Sequence, residues 1–496
     1  MYTSQVIQLL KSLSKKEIND LYYFIESPFL SKVQFKSTHK TVGQKILIQF
    51  YKILRGAHPD FSKKGLHREA VFKKLFPGEI YNDRKFRNIK HELSNIIENY
   101  LSYLDYAEDP IDHKIHLINQ TEKRKLDKLF ELNIHTINKL LDLYDVKNEE
   151  YHFKKYLLAQ KERIFNDNKT YLGKSQTKFN ILKDEISFTT DCFFLIILKQ
   201  LSIIHHVKYH LNLDINTDFY DYVYNYLKKH SELFHANNVL QILNKFILLY
   251  TSQASKNDIN ELRVLLYENE KCFSKLDFQY LCIDLLSYCI IRFLKGEYSF
   301  KDTLFELLKD CVDKEVYIQE GLMHEHNYTS IASLAIRLKE LKWAEEFIKK
   351  YKIYLSSEVR ENAYLYNYAS YFYILKEYDR AMEMLSKVKN TDFYYTTGIY
   401  NLQLRIYYEM GSLEPALSLV DSYRHFFSKN KLIPSDYKKR YKNFLNFYEK
   451  MVKIRNCSSN IPPGMLIREL ENTEEVEYRG WLTNKIKELH SEIETS

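Results

Sequence analysis

Three histidine-centred clusters are the first places in this chain where side-chain chemistry could be sought. His206 and His210 stand four residues apart, one helical turn, with His205 beside them. Two imidazoles at that spacing can close on a metal ion from one helix face. No HExxH pattern accompanies them, and no acidic third ligand lies nearby in sequence. Asp112, His113 and His116 form a second cluster and His324, Glu325 and His326 a third, neither with a recognisable closing partner. Gly173-Lys174-Ser175 matches the end of a phosphate-binding loop. The glycine that loop needs five positions earlier is Asn168, and a helix precedes it where a strand is required, so backbone amides cannot wrap a phosphate there. Six cysteines (Cys192, Cys272, Cys282, Cys289, Cys311, Cys457) show no CxxC spacing, and no GxSxG is present. Reduced core thiols are expected, and with them a cytosolic chain. The expectation is a non-enzymatic protein with no catalytic residue, cofactor, metal or small-molecule substrate.

Charge supplies a different chemistry. Residues 1–100 hold 18 Lys and Arg against 9 Asp and Glu, whereas the other 396 residues hold 55 against 56. All of the net +8 therefore sits in the first fifth of the chain. Within it, a short helix expected at 66–76, a Pro77-Gly78 turn and a long helix from about 83 to 106 imitate a helix-turn-helix. Phe86, Ile89, Leu93, Ile96, Ile97 and Tyr100 recur at helical spacing and form the inward face. Arg84, Arg87, Asn88 and His91 fall on the outward face, where they suit phosphate and base-edge contact. Acidic residues Glu79, Asp83 and Glu92 interrupt that surface, and the turn is longer than usual.

The elements that position these residues are helices. Glycine numbers only 11 and proline 8 in 496 residues, too few for the tight turns of sheets and nucleotide folds. Tyrosine, at 42, is the abundant aromatic. Four regions are expected: a basic helical domain at 1–108, a central helical region at 109–275, repeats at 276–430 and capping helices at 431–496. Ser14 is expected to cap a helix starting at Lys15. Long helices are expected at about 123–145, 148–167, 174–212, 216–234, 236–252 and 257–270, with no believable strand anywhere. The N-terminus lacks the layout of a signal peptide. The most apolar run, 192–204, is too short to span a bilayer and contains Lys199 and Gln200, so no membrane span is expected.

Residues 365–423 read as two copies of one helical hairpin, with Ala381 and Ala416 at the inner contact, 35 residues apart. Tyr298, Trp343, Tyr378 and Leu413, each just after a turn, are separated by 45, 35 and 35 residues. A unit recurring at this spacing must stack on its neighbours to bury its apolar face. The first copy carries Leu365, Ala369, Phe372, Tyr378, Ala381, Leu385 and Val388; the second Tyr400, Leu404, Tyr407, Gly411, Leu413, Ala416, Val420 and Tyr423. Over about 325–428 this pattern resembles the tetratricopeptide repeat, departing from it in the second copy where leucine and tyrosine replace small residues. The opening FIESPFL and LFPGEIYNDRKFRNI resemble uncharacterised bacterial helical-repeat proteins. The resemblance implies an all-α superhelix whose first helices line a concave groove. It implies groove positions at Tyr366, Ser370, Tyr373, Asn401, Arg405 and Tyr408, suited to an extended or helical peptide with some acidic character. The expected function is a scaffold for a protein or peptide partner. The alternative is a nucleic-acid-associated regulator acting through the basic N-terminal region.

Overall fold

In the computed structural model the described residues are all-α apart from one very short hairpin. The structure describes residues 4–27, 43–61, 66–169, 175–232 (except 212 and 214), 237–389 (except 253), 393–456 (except 431, 432 and 434) and 461–494. Gly173-Lys174, Cys457 and the Pro28 break lie outside them. The chain divides into two compact units, Met1–Ile196 and Ile197–Ser496.

The first unit opens with α1 (Gln5–Ser12), α2 (Lys15–Glu26), α3 (Gln44–Arg55), α4 (Arg68–Leu75) and α5 (Asp83–Glu108). Ser14 starts α2 as expected: its hydroxyl accepts from the Glu17 amide (3.2 Å) and the Glu17 carboxylate accepts from the Ser14 amide (2.6 Å). In α3, Leu47, Phe50, Tyr51 and Leu54 share one face and are buried. In α5 the six expected inward residues, Phe86 through Tyr100, are all buried against the same core. Asp109 ends α5 and caps α6 (Pro110–Lys123), its carboxylate accepting from the amides of Ile111 (2.7 Å) and Asp112 (3.2 Å). A second core joins α6, α7 (Asp127–Asp142) and α8 (Glu149–Lys169), with Phe130 stacked on Phe165 at 4.1 Å. The helix expected from about 123 begins instead at Asp127, because Lys125 turns the chain at φ 55° after α6 has ended at Lys123. The division between units falls within α9 (Ser175–Leu211).

The second unit continues with α10 (Asp218–Lys229), α11 (Asn238–Thr251), α12 (Lys256–Glu268), α13 (Lys275–Leu294), α14 (Lys301–Asp313), α15 (Glu325–Arg337) and α16 (Leu341–Tyr351). It ends with α17 (Arg360–Ile374), α18 (Tyr378–Lys387), α19 (Phe393–Glu409), α20 (Leu413–Lys429), α21 (Ser435–Arg455), α22 (Pro463–Asn472) and α23 (Arg479–Glu494). One turn recurs after α13, α15, α17 and α19, at Gly296, Lys339, Lys376 and Gly411, all with positive φ. In each, the next residue's amide bonds five residues back: Glu297 to Arg292, Glu340 to Ala335, Glu377 to Phe372 and Ser412 to Tyr407. The left-handed residue itself bonds three back, which completes a Schellman motif. Counted by these turns the steps are 43, 37 and 35 residues. Trp343 is thus two residues out of register with Tyr378, and Leu341 is its counterpart. Ala344, Ala381 and Ala416 each stand five residues past the turn and are fully buried. A methyl there lets the paired helices approach closely.

Two expectations need correction. Strand is present, if briefly: Ile318–Gln319 pairs antiparallel with Leu322–Met323. Glu320 and Gly321, both at positive φ, make the tight turn such a hairpin needs. The apolar run of α9 is also longer than 192–204 suggests, because Lys178–Tyr209 is long and apolar enough, by length and composition, to cross a membrane. A third of its most apolar window is buried in the protein.

Candidate functional site

The six residues expected in a groove lie on α17 and α19, and the chain's own C-terminal segment packs directly on three of them, Tyr373, Arg405 and Tyr408. Tyr478 and Trp481 are the centre of the covering segment. The Arg405 guanidinium is clamped between two rings, 5.0 Å from Tyr373 and 4.9 Å from Tyr478. The Trp481 Nε1 donates to the Tyr373 hydroxyl at 3.1 Å, and that hydroxyl faces the Glu409 carboxylate at 3.5 Å. Lys485 reaches the same carboxylate at 2.9 Å. Tyr408 packs edge-on against Trp481 at 5.6 Å, under the Arg455 guanidinium at 4.6 Å. Burial pushes the Tyr408 hydroxyl up to about 12 and that of Tyr366 higher still. Tyr366 runs across Gly398, where an added Cβ would stand 2.8 Å from its hydroxyl, so a side chain there would drive the ring out. Ser370 bonds back to the Tyr366 carbonyl at 3.1 Å. Asn401 is fully buried, and its side-chain amide faces the hydroxyls of Tyr423, Tyr441 and Tyr478.

The cover is a packed element. Leu482, Ile486 and Leu489 are buried in one core with Phe444, Tyr448 and Leu466. Three such side chains contribute on the order of 5–9 kcal/mol of transfer free energy before ordering costs. A capping role for the last helix is legible in the sequence; its seat across α17 and α19 is not, because the joining contacts span 76 and 108 residues.

The neighbouring part of the unit is open. A cleft of about 460 Å³ lies between α13, α14 and α15, with Ile290 and Leu294 on one wall and Asn327, Ser330 and Arg337 on another. Asn367 on α17 donates to the Thr329 hydroxyl on α15 at 3.1 Å, so the helix that walls this cleft packs against the covered face. A second cleft, of about 320 Å³, is lined by α9, α11 and α13 around Ile203, Leu243 and Tyr280. Ion pairs stand at its edge: Lys199 with Asp277 at 2.9 Å, and His206 with Asp284, which also receives the Tyr250 hydroxyl. Sequence reading treated His206 as a metal candidate and missed these partners. Their signal was present, since Lys199 and His206 are seven residues apart and so are Asp277 and Asp284, two turns on one face of each helix.

The other clusters resolve into local packing. His113 and His116 flank the Tyr106 ring at 5.4 and 5.6 Å, and Asp112 pairs with Lys154 at 3.1 Å. His324 caps α15 by accepting from the His326 amide, and Glu325 faces the Tyr395 hydroxyl. Among the described residues no three His, Cys, Asp or Glu side chains converge as a metal site. The described cysteines are unbridged, and burial pushes the thiols of Cys282 and Cys289 up to about 12, away from nucleophilic use. Arg84, Arg87, Asn88 and His91 are all exposed on α5. Arg87 pairs with Asp83 at 2.9 Å, and His91 contacts Asn95 at 3.4 Å. No protein family, curated protein or solved structure matches this chain.

Proposed function

We propose that this protein is a non-enzymatic cytosolic scaffold whose C-terminal part is a tetratricopeptide-like superhelix that holds a protein or peptide partner on its inner face. The observation that carries this reading is the open cleft between α13 and α15, beside the stretch of the same unit that already seats a helix of the chain's own. The seated helix supplies the recognition chemistry by example: aromatic rings against Tyr373 and Arg405, and a charge opposite Glu409. A partner in the open section would place apolar side chains on Ile290 and Leu294, polar ones on Asn327 and Ser330, and an acidic group toward Arg337. Affinity capture with wild type and an Ile290→Glu/Arg337→Ala variant tests this. Loss of the same specific partners from the variant supports the cleft, and identical recovery removes it.

A second reading rests on Arg84, Arg87, Asn88 and His91 standing together on an exposed helix face. It makes the basic region a nucleic-acid contact, with the repeats holding a regulatory partner. The ion pair of Arg87 with Asp83 weakens that surface as a phosphate site.

A further inference from the structure

Within the first unit, α9 turns an apolar stripe toward solvent. Phe179 is 60% exposed, Leu182 43%, Ile186 59%, Phe193 42% and Ile196 44%, and Thr189 is exposed among them. These six positions are spaced 3, 4, 3, 4 and 3 residues apart, the a and d positions of a heptad. The opposite side of the same helix is already partnered. Ile181, Phe194 and Leu195 are buried, Glu185 pairs with Arg163 at 2.6 Å, and Asp191 faces His152 at 3.6 Å. Apolar residues of ~150–250 Å² exposed to this degree offer on the order of 500 Å² per copy. Two copies would bury about 1,000 Å², the floor for a specific interface.

We infer that this stripe is the contact of a reversible homodimer, in which α9 of a second copy lies along it. The occupant follows from the spacing. A 3-4 alternation presents knobs and holes at one repeat along its whole length, so the surface it fits best is itself. A bilayer is the competing occupant for a helix this apolar. It is disfavoured because Lys183, Asp184, Glu185 and Asp191 interrupt the helix, and two of these carboxylates are committed to α8. The inference stands apart from the proposed partner cleft, which lies in the other unit.

Sedimentation velocity of the full chain between ~1 and ~100 µM, which brackets a micromolar dissociation constant, should show a concentration-dependent passage from one chain to two. An Ile186→Glu/Phe193→Glu variant should stay single at every concentration, with unchanged circular dichroism. In a Cys192→Ser background, Thr189→Cys should form an interchain disulfide on mild oxidation, since it sits near the middle of the stripe. A wild-type chain that remains single throughout overturns the inference. So does a dimer that the two glutamates leave intact, or flotation with phosphatidylcholine vesicles in place of self-association.

Discussion

Replacing Arg405 with alanine separates a covered inner face from an open one. An exposed groove arginine awaiting a partner contributes little to stability, and its loss stays within about 0.5 kcal/mol. Here the guanidinium lies 5.0 Å from the Tyr373 ring and 4.9 Å from the Tyr478 ring, and its Nε donates to the Asn401 carbonyl at 3.3 Å. Each cation–ring contact in a half-buried setting is worth roughly 0.5–2 kcal/mol. Arg405→Ala should therefore cost about 1–3 kcal/mol, and Arg405→Lys, which keeps the charge but loses the planar stack, somewhat less. The chain has two tryptophans, Trp343 and Trp481, so a Trp343→Phe background leaves Trp481 as the reporter beside the clamp. Urea unfolding followed by its emission should move to lower denaturant, and the native emission should shift red as Tyr478 loosens. An Arg405→Ala protein with the wild-type midpoint and emission would refute the clamp, and with it the covered face.

Lys376→Gly should stabilise the second unit by up to about 1 kcal/mol, since lysine there holds φ 62° where Gly411 holds φ 71° in the matching turn. Gly411→Ala should destabilise by a comparable amount, both read as shifts in thermal midpoint. Asp109→Asn should cost about 1–2 kcal/mol at neutral pH. Burial alone would raise the Asp109 carboxyl, but the hydrogen bond from Lys154 (2.6 Å) and two backbone amides outweigh it and hold the carboxyl below its usual range. Its contribution is therefore present above the unfolded value of ~3.9 and fades as pH falls through the lower folded value. The gap between variant and wild type should close in acid denaturation curves below that pH, and a gap that persists contradicts the assignment. For the basic region, Arg84→Ala/Arg87→Ala should abolish duplex-DNA retention at low salt if α5 contacts the phosphate backbone; unchanged retention removes that reading.

Much of the helical layout is legible in the sequence because it depends on short-range physics. The inward face of α5, the Ser14 cap and the hairpins marked by Tyr378 and Leu413 follow from periodicity and local hydrogen bonding. Gly296 and Gly411 announce their turns, whereas Lys339 and Lys376 adopt the same left-handed geometry without any residue-type cue. At Lys376 the aromatic Tyr378 still marks the register, whereas after Lys339 the aromatic is Trp343, two residues late, so the position equivalent to Ala381 and Ala416 is Ala344. The candidate site was legible only in part. Residues 366, 370 and 373, with 401, 405 and 408, do gather in one region, but the segment that covers them comes from more than 70 residues away. No local signal encodes that choice of seat. The ion pairs of α9 with α13 are an intermediate case, visible as matched seven-residue spacings once the helices are known to be neighbours.

The central proposal, a partner held in the cleft between α13 and α15, meets its most direct test in peptide binding. Helical peptides selected by display against the full-length protein would be titrated by fluorescence anisotropy against wild type and Ile290→Glu/Arg337→Ala. The account predicts at least a ~10-fold weaker Kd for the variant, equivalent to about 1.4 kcal/mol, with unchanged circular dichroism. Equal affinity for both proteins would contradict it.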